Sequence, residues 1–240
     1  MSTESQTENK VSVSNTIEEN TTSSASGILS TFENPEDFIE KNQKKLIIIG
    51  SVIAIAIAGF FGFKYFQKTQ EAEAQAELFQ SVYYFEADSL DLALNGNGNK
   101  LGLLAISEDY GMTKAANLAN FYAGVSYLKK GKFDEAITYL EKFSSSDLIL
   151  QARAYSLIGD AYSEKNDLPN AVDFYTKAAG YKPNKQFTPT YLMKLGLAQE
   201  LSKDYSGAVA SFDKIITDYP TSEQATEAKK YKGLNESRQK

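Results

Sequence analysis

Residues 154–183 read AYSLIGDAYSEKNDLPNAVDFYTKAAGYKP. Two antiparallel helices approach closely only where a side chain is nearly absent, and Gly159 and Ala171 supply that gap. Tyr155, Tyr162 and Tyr175 are placed to fill the space between one helix pair and the next, each contributing about 1.5–3 kcal/mol when fully buried. Ile158 and Ala178 complete the apolar set. Pro183 follows the second helix and ends it, because a proline ring has no N–H to donate and clashes with the preceding turn. The stretch therefore predicts a single helical hairpin.

The same spacing recurs on both sides. Upstream stand Gly124, Tyr127, Ala136 and Leu140; downstream stand Leu192, Leu195, Gly196, Ala208, Phe212 and Pro220. The three glycines lie 35 and 37 positions apart, a period that marks stacked supersecondary units. These residues resemble the tetratricopeptide repeat family, whose pattern of large-x2-Leu-Gly-x2-Tyr, Ala-x3-Phe, Ala and Pro returns roughly every 34 residues. The copy from Tyr155 to Pro183 matches at every position. The first copy departs with Asn120 at the bulky position, Ala123 at the leucine and Phe143 at the second alanine; the third has Gln199 for the tyrosine and Ile215 for that alanine. The resemblance implies an all-α solenoid of helical hairpins, with repeats over about 117–150, 152–185 and 189–222. Substituting Trp for Ala171 is expected to overpack its hairpin, at roughly 1–3 kcal/mol.

Before the first clear copy, Phe79–Leu94 and Leu101–Tyr110 suit a degenerate hairpin, with Gly111 as its stop and Thr113 capping the next helix. Between them NGNGN, residues 95–99, breaks the helix with residues that tolerate positive φ. Gly96, Gly98 and Gly102 miss the G-x-G-x-x-G spacing, and no strand precedes them, so a nucleotide-phosphate loop is not expected. At the far end Ser222 is placed to cap a last helix, SEQATEAKKYKGL, whose polar outer face suits the end of a solenoid.

From Leu46 to Phe63 the chain reads LIIIGSVIAIAIAGFFGF without a charge. At 1.5 Å per helical residue these 18 residues reach roughly 27 Å, close to a hydrocarbon core. Eleven of them are Leu, Ile, Val or Phe, which gives on the order of −3 to −7 kcal/mol for insertion before the glycines and Ser51 subtract. The expectation is one transmembrane helix over 46–66. A cleaved leader is not expected, since about 45 mostly polar residues precede the run and no small-x-small site follows it. Lys41, Lys44 and Lys45 precede the run and Lys64 and Lys68 follow it, which favours an amino terminus in the cytoplasm and the repeats outside. Residues 1–33, acidic and poor in large apolar groups, read as a disordered tail. Asn34, Pro35, Glu36 and Asp37 read as the start of a short juxtamembrane helix over 34–45. After Lys68 the Ala-, Glu- and Gln-rich stretch favours a helix leaving the bilayer, so that 67–112 holds a connecting helix and the degenerate first repeat, and 113–240 the repeats with their capping helix.

The composition excludes several classes of chemistry. There is no His and no Cys, so zinc sites, Ser-His-Asp triads, Cys-His dyads and iron–sulfur clusters lack their residues. A formal charge of −6 does not gather polyphosphate, and nucleic acid is not an expected partner. No constellation of Asp, Glu, Lys and Tyr reads as catalytic, and the expectation is a non-enzyme without cofactor or metal.

Solenoids usually hold a partner's helix or extended segment in a concave face. The family resemblance assigns that face to Leu118, Phe121, Val125 and Leu128, then Arg153, Ser156, Asp160 and Ser163, then Thr190, Met193, Leu197 and Glu200. The candidate groove is thus Phe121, Val125, Arg153, Asp160, Met193 and Leu197. For Leu118, Phe121 and Val125 the more ordinary reading is that they pack against the preceding hairpin as core. A chaperone-tail clamp needs Lys and Asn where this chain has Phe121 and Val125, and Lys194 alone does not restore it.

The layout of tail, anchor and carboxy-terminal repeats also resembles the YfgM-like proteins, ancillary subunits of the bacterial Sec translocon. It does so most specifically over FEADSLDLALNGNGNKLGLLAISEDYG (85–111) and AANLANFYAGVSYLKKGKFDEAI (115–137). That resemblance implies a bacterial inner-membrane protein with periplasmic repeats, in contact with translocon subunits, periplasmic chaperones or emerging client chains. An envelope assembly factor, or an organellar receptor facing the cytosol, would use the same fold.

Overall fold

The computed structural model describes residues 35–239. The expected disordered tail, 1–33, and the Asn34 cap lie outside them. Ten helices are present among the described residues: α1 Pro35–Glu86, α2 Leu90–Asn95, α3 Leu103–Asp109, α4 Lys114–Lys129, α5 Phe133–Lys142, α6 Leu150–Glu164, α7 Leu168–Gly180, α8 Thr188–Leu201, α9 Tyr205–Asp218 and α10 Ala225–Arg238. The described residues contain no strand, only an isolated bridge between Gly96 and Leu101. The chain divides into two units, 1–64 and 65–240.

The described residues of the first unit form one helical stretch whose apolar side chains touch almost nothing. Val52, Ile55 and Phe61 are each more than 60% exposed, and Gly50, Gly59 and Gly62 have no neighbour within 4 Å of where a Cβ would lie. A run that leaves every face uncovered is not the core of a soluble bundle. α1 is long and apolar enough to cross a membrane. The one hydroxyl of the uncharged run is satisfied within the helix, Ser51 Oγ donating to the Ile47 carbonyl at 2.8 Å. The juxtamembrane, spanning and connecting segments expected as successive pieces form a single helix to Glu86. No proline interrupts it after Pro35, and three isolated glycines weaken a helix without breaking it.

In the second unit α4–α5, α6–α7 and α8–α9 are three consecutive hairpins. Each turns at the same point. Gly131, Asn166 and Lys203 have φ of 70°, 59° and 64°, and the following N–H in each case reaches back to the carbonyl of Tyr127, Tyr162 or Gln199 at 2.8–2.9 Å. This is the left-handed helix stop that satisfies terminal carbonyls. Asp167 and Asp204 then cap α7 and α9, accepting from the Asn170 and Gly207 N–H groups.

The small residue of each first helix meets the large residue of its second. A Cβ built on Gly124 would lie 2.5 Å from Leu140, on Gly159 2.7 Å from the Tyr175 ring, and on Gly196 2.6 Å from the Phe212 ring. Ala136, Ala171 and Ala208 are fully buried in the equivalent second helices, and Ala178 nearly so. Tyr127 stacks on Tyr139 and Tyr162 on Phe174, each with 5.5 Å between ring centroids. Pro183 follows α7 and Pro220 follows α9.

The segment before the hairpins is shorter than a full repeat. α1 stops at Glu86, Asp88 takes a φ of 55°, and α2 and α3 are only 6 and 7 residues long. Ala74, Leu78, Leu94, Leu103 and Ile106 form its core with Ala115, Ala119 and Ala123 of α4. The NGNGN turn folds back on α1 rather than opening as a cradle. Glu77 accepts from the Lys100 ammonium at 2.9 Å and the Leu101 N–H at 3.1 Å, and Ser81 donates to the Leu101 carbonyl at 2.7 Å. The lysine holds the Glu77 carboxyl below its usual range.

At the other end α10 closes the array: Tyr231 stacks on Phe212 at 5.5 Å, Ala225 and Ala228 are buried, and Asn235 donates to Glu200 at 3.0 Å. Ser222 does not cap it. The helix starts at Ala225, two residues later than the sequence suggested, and the Ser222 hydroxyl is buried without a hydrogen-bond partner. The turn after Pro220 is completed by its backbone carbonyl, which accepts from the Ala225 N–H.

Candidate protein-binding surface

The first helix of each hairpin, α4, α6 and α8, carries the candidate groove residues, and their surroundings differ from copy to copy. On α4, Phe121 and Val125 are only 6% and 9% exposed. They sit with Ile137, Leu140 and Phe143 of their own hairpin and Ala154, Ile158 and Ala161 of the next, with Leu118 and Phe85 against the same cluster. The Phe121 and Phe143 rings are 5.1 Å apart. As groove residues these two therefore need correction. They are core, and they are held by the following hairpin as much as by the preceding one, because α6 presents alanines where they insert.

Met193 of α8 is also enclosed, at 8% exposure, and Leu197 packs against the same core. Arg153 is exposed on α6. Exposed Leu201 ends α8. Of the candidate set Arg153 is thus exposed and Asp160 and Leu197 are half-buried, and exposed Leu201 lies one turn beyond Leu197.

Asp160 is the centre of a polar cluster that bridges two hairpins. Lys194 of α8 donates to both its oxygens, at 2.8 and 2.7 Å, and to Ser156 Oγ at 3.2 Å. Tyr175 Oη donates to the same carboxylate at 2.7 Å. Burial first, and then the neighbouring carboxylate, push the Tyr175 phenol well above the ordinary tyrosine range. Lys194 and Asp160 are 35% and 24% exposed, and a pair so open to water contributes less than about 1 kcal/mol. Its consequence for recognition is larger: Lys194 already has its carboxylate, which leaves no free ammonium at this point for a partner's acid.

A cavity of about 650 Å³ lies at one edge of the third hairpin, lined by Lys185, Phe187, Thr190, Tyr219, Ser222 and Gln224 among others. Gln224 donates to Thr190 across it at 3.1 Å. Of its residues the sequence singled out only Pro220, Ser222 and Thr190, each for another reason. The signal available was the pair of Pro-containing loops one period apart, which the solenoid brings to one side. Among the described residues no three carboxylates gather as a metal site.

Two family models described as tetratricopeptide repeat match the chain, one over residues 121–186 and one over residues 191–222. The matched segments cover α6–α7 with most of α4–α5 and of α8–α9. No curated protein matches the chain.

Proposed function

We propose that these tetratricopeptide repeats are the business end of a membrane-anchored adaptor, held by α1 in a bacterial inner membrane with the repeats on the periplasmic side. Tetratricopeptide repeats make a scaffold for protein–protein contact. The observation that carries the reading further is the uncovered apolar stretch of α1, none of whose most hydrophobic window is buried, running without interruption into the helix that founds the array. Of the lysines flanking the run, three (Lys41, Lys44 and Lys45) stand before Leu46 and two (Lys64 and Lys68) after Phe63, which favours translocation of the larger part. The likeness to YfgM-like proteins makes the Sec translocon, and chains emerging from it, the first partners to test. The role is non-catalytic.

The partner meets α6 and α8 through Arg153, the exposed side chain of the candidate face, and through exposed Leu201 at the end of α8. Photocrosslinkers at these two positions, followed by purification in mild detergent and mass spectrometry, are expected to trap translocon subunits or client chains. Adducts with outer-membrane assembly machinery instead would move the role to envelope assembly. Protease added to sealed spheroplasts should digest the repeats; digestion only from the cytoplasmic side would reverse the topology.

A further inference from the structure

The part of α1 that belongs to the second unit carries two uncharged stripes. Ala74, Leu78, Ser81 and Phe85 lie on the side packed into the array. The first three are at most 7% exposed, and Ala74, Leu78 and Phe85 join the core formed with α2, α3 and α4. About half a turn away stand Tyr65, Thr69, Ala72, Ala76, Phe79 and Tyr83, every one of them exposed. The rings of Tyr65 and Phe79 are each 76% exposed and that of Tyr83 60%. Both stripes keep the same spacing, steps of 4, 3 and 4 along the covered one and of 4, 3, 4, 3 and 4 along the open one. Such alternation averages about 3.5 residues, the period that holds one side of a helix against a second helix. Thr69 does not oppose burial, because its hydroxyl donates to the Tyr65 carbonyl at 3.2 Å.

The residues flanking the open stripe identify what covers it. In a parallel pair of such helices, the residue just before a seam position on one helix faces the residue five further along on the other, and opposite charges there set the partner and the direction. Lys68 precedes Thr69 on the seam, and Glu73 stands five residues on; Gln75 and Gln80 share that interval. Neither Lys68 nor Glu73 has an ion pair within the described residues. An antiparallel copy would set Lys68 against Lys68, Gln75 or Val82, none of them an acid. We propose that residues 65–83 of α1 pair, parallel and in register, with the same segment of a second copy of this chain. The pairing buries the Phe79 and Tyr83 rings and joins Lys68 of each copy to Glu73 of the other. The rest of the second unit packs on the opposite side of the helix and leaves the seam open.

Every residue of this seam lies in the second unit, so the pairing holds whether or not the apolar run spans a bilayer. The chain has no cysteine, and single cysteines therefore report contact between copies. Thr69→Cys and Ala76→Cys lie about 10 Å apart on the seam and spare its rings. Met112→Cys, at a site 62% exposed and off the seam, measures chance encounter. Full-length variants in mild detergent are oxidised gently with copper-phenanthroline. Thr69→Cys and Ala76→Cys are each expected to give about fivefold more disulfide-linked dimer than Met112→Cys, which an antiparallel pair could do at only one of the two sites. Phe79→Glu with Tyr83→Glu should abolish the Ala76→Cys dimer and leave the melting temperature unchanged, since both rings are exposed within one copy. Lys68→Glu should lower the Thr69→Cys dimer severalfold, and adding Glu73→Lys should restore it. Dimer no greater than at Met112→Cys, dimer at one seam site alone, an adduct that contains another protein, or a failed restoration each overturns the pairing.

Discussion

At Gly159 the ring of Tyr175 occupies the place of a side chain, and this single contact sets how closely α6 and α7 pack. Gly159→Ala is therefore expected to destabilise the repeat unit by about 1–3 kcal/mol, since the ring must move within a filled core. Gly233 lies in the interior of α10 with nothing within 4 Å, and Gly233→Ala should gain about 0.5–1 kcal/mol by helix propensity alone. Denaturant midpoints of opposite sign for these two identical substitutions would bear out the geometry; a loss in both would point to helix-wide effects instead. Tyr175 carries a second test. A phenol whose folded pKa is raised adds stability that is whole below the unfolded value of about 10 and declines as pH climbs above it, because only the unfolded chain then sheds the proton. Tyr175→Phe should flatten the fall in melting temperature between pH 10 and 11. It should also cost about 1 kcal/mol near neutrality through the lost bond to Asp160. An alkaline profile identical to that of the parent would remove Tyr175 from the account.

The hairpin turn is the element where sequence and structure diverge in an instructive way. Gly131, Asn166 and Lys203 share one left-handed position, in falling order of suitability for it. Lys203→Gly is expected to stabilise by up to about 1 kcal/mol, a rise of roughly 2–4 °C in a unit of this size; an unchanged or lower melting temperature would show the turn is not strained. Packing positions such as Gly159, Ala171 and Tyr175 were legible from the chain because close approach demands one small and one large residue at fixed spacing. Accessibility was not legible. Val125 and Asp160 hold equivalent places on α4 and α6, yet one is core and the other half-buried in a polar cluster, because burial there depends on what the next hairpin brings. A helix running on beyond the apolar stretch was legible, since continuity requires only the absence of a breaker, but that absence does not mark where one segment becomes the next. The Ser222 cap failed for a related reason: Pro220 and two further residues complete a turn before the helix starts, and a serine near a helix start caps only when its backbone sits at the boundary.

A solenoid of stacked hairpins is quasi-one-dimensional, so each unit is stabilised by its neighbours and little by anything beyond them. The cap makes this testable in the whole molecule. α10 covers the core of the third hairpin with Ala225, Ala228 and the Tyr231 ring, and it binds Glu200 through Asn235 and Arg238 and Asp213 through Lys232. Ending the chain after Gln224 removes all of these and opens Phe212 and Ile215, which are fully buried in the intact array, to water. Exposing two such side chains costs on the order of 3–6 kcal/mol, enough to open the third hairpin locally. Amide hydrogen exchange should then quicken by a hundredfold or more in α8 and α9, while α4 and α5, which share the Phe121 and Val125 core at the other end, keep their protection. Equal loss along the entire array would mean that the hairpins unfold as one cooperative body, and the repeat-by-repeat account of stability would have to be abandoned.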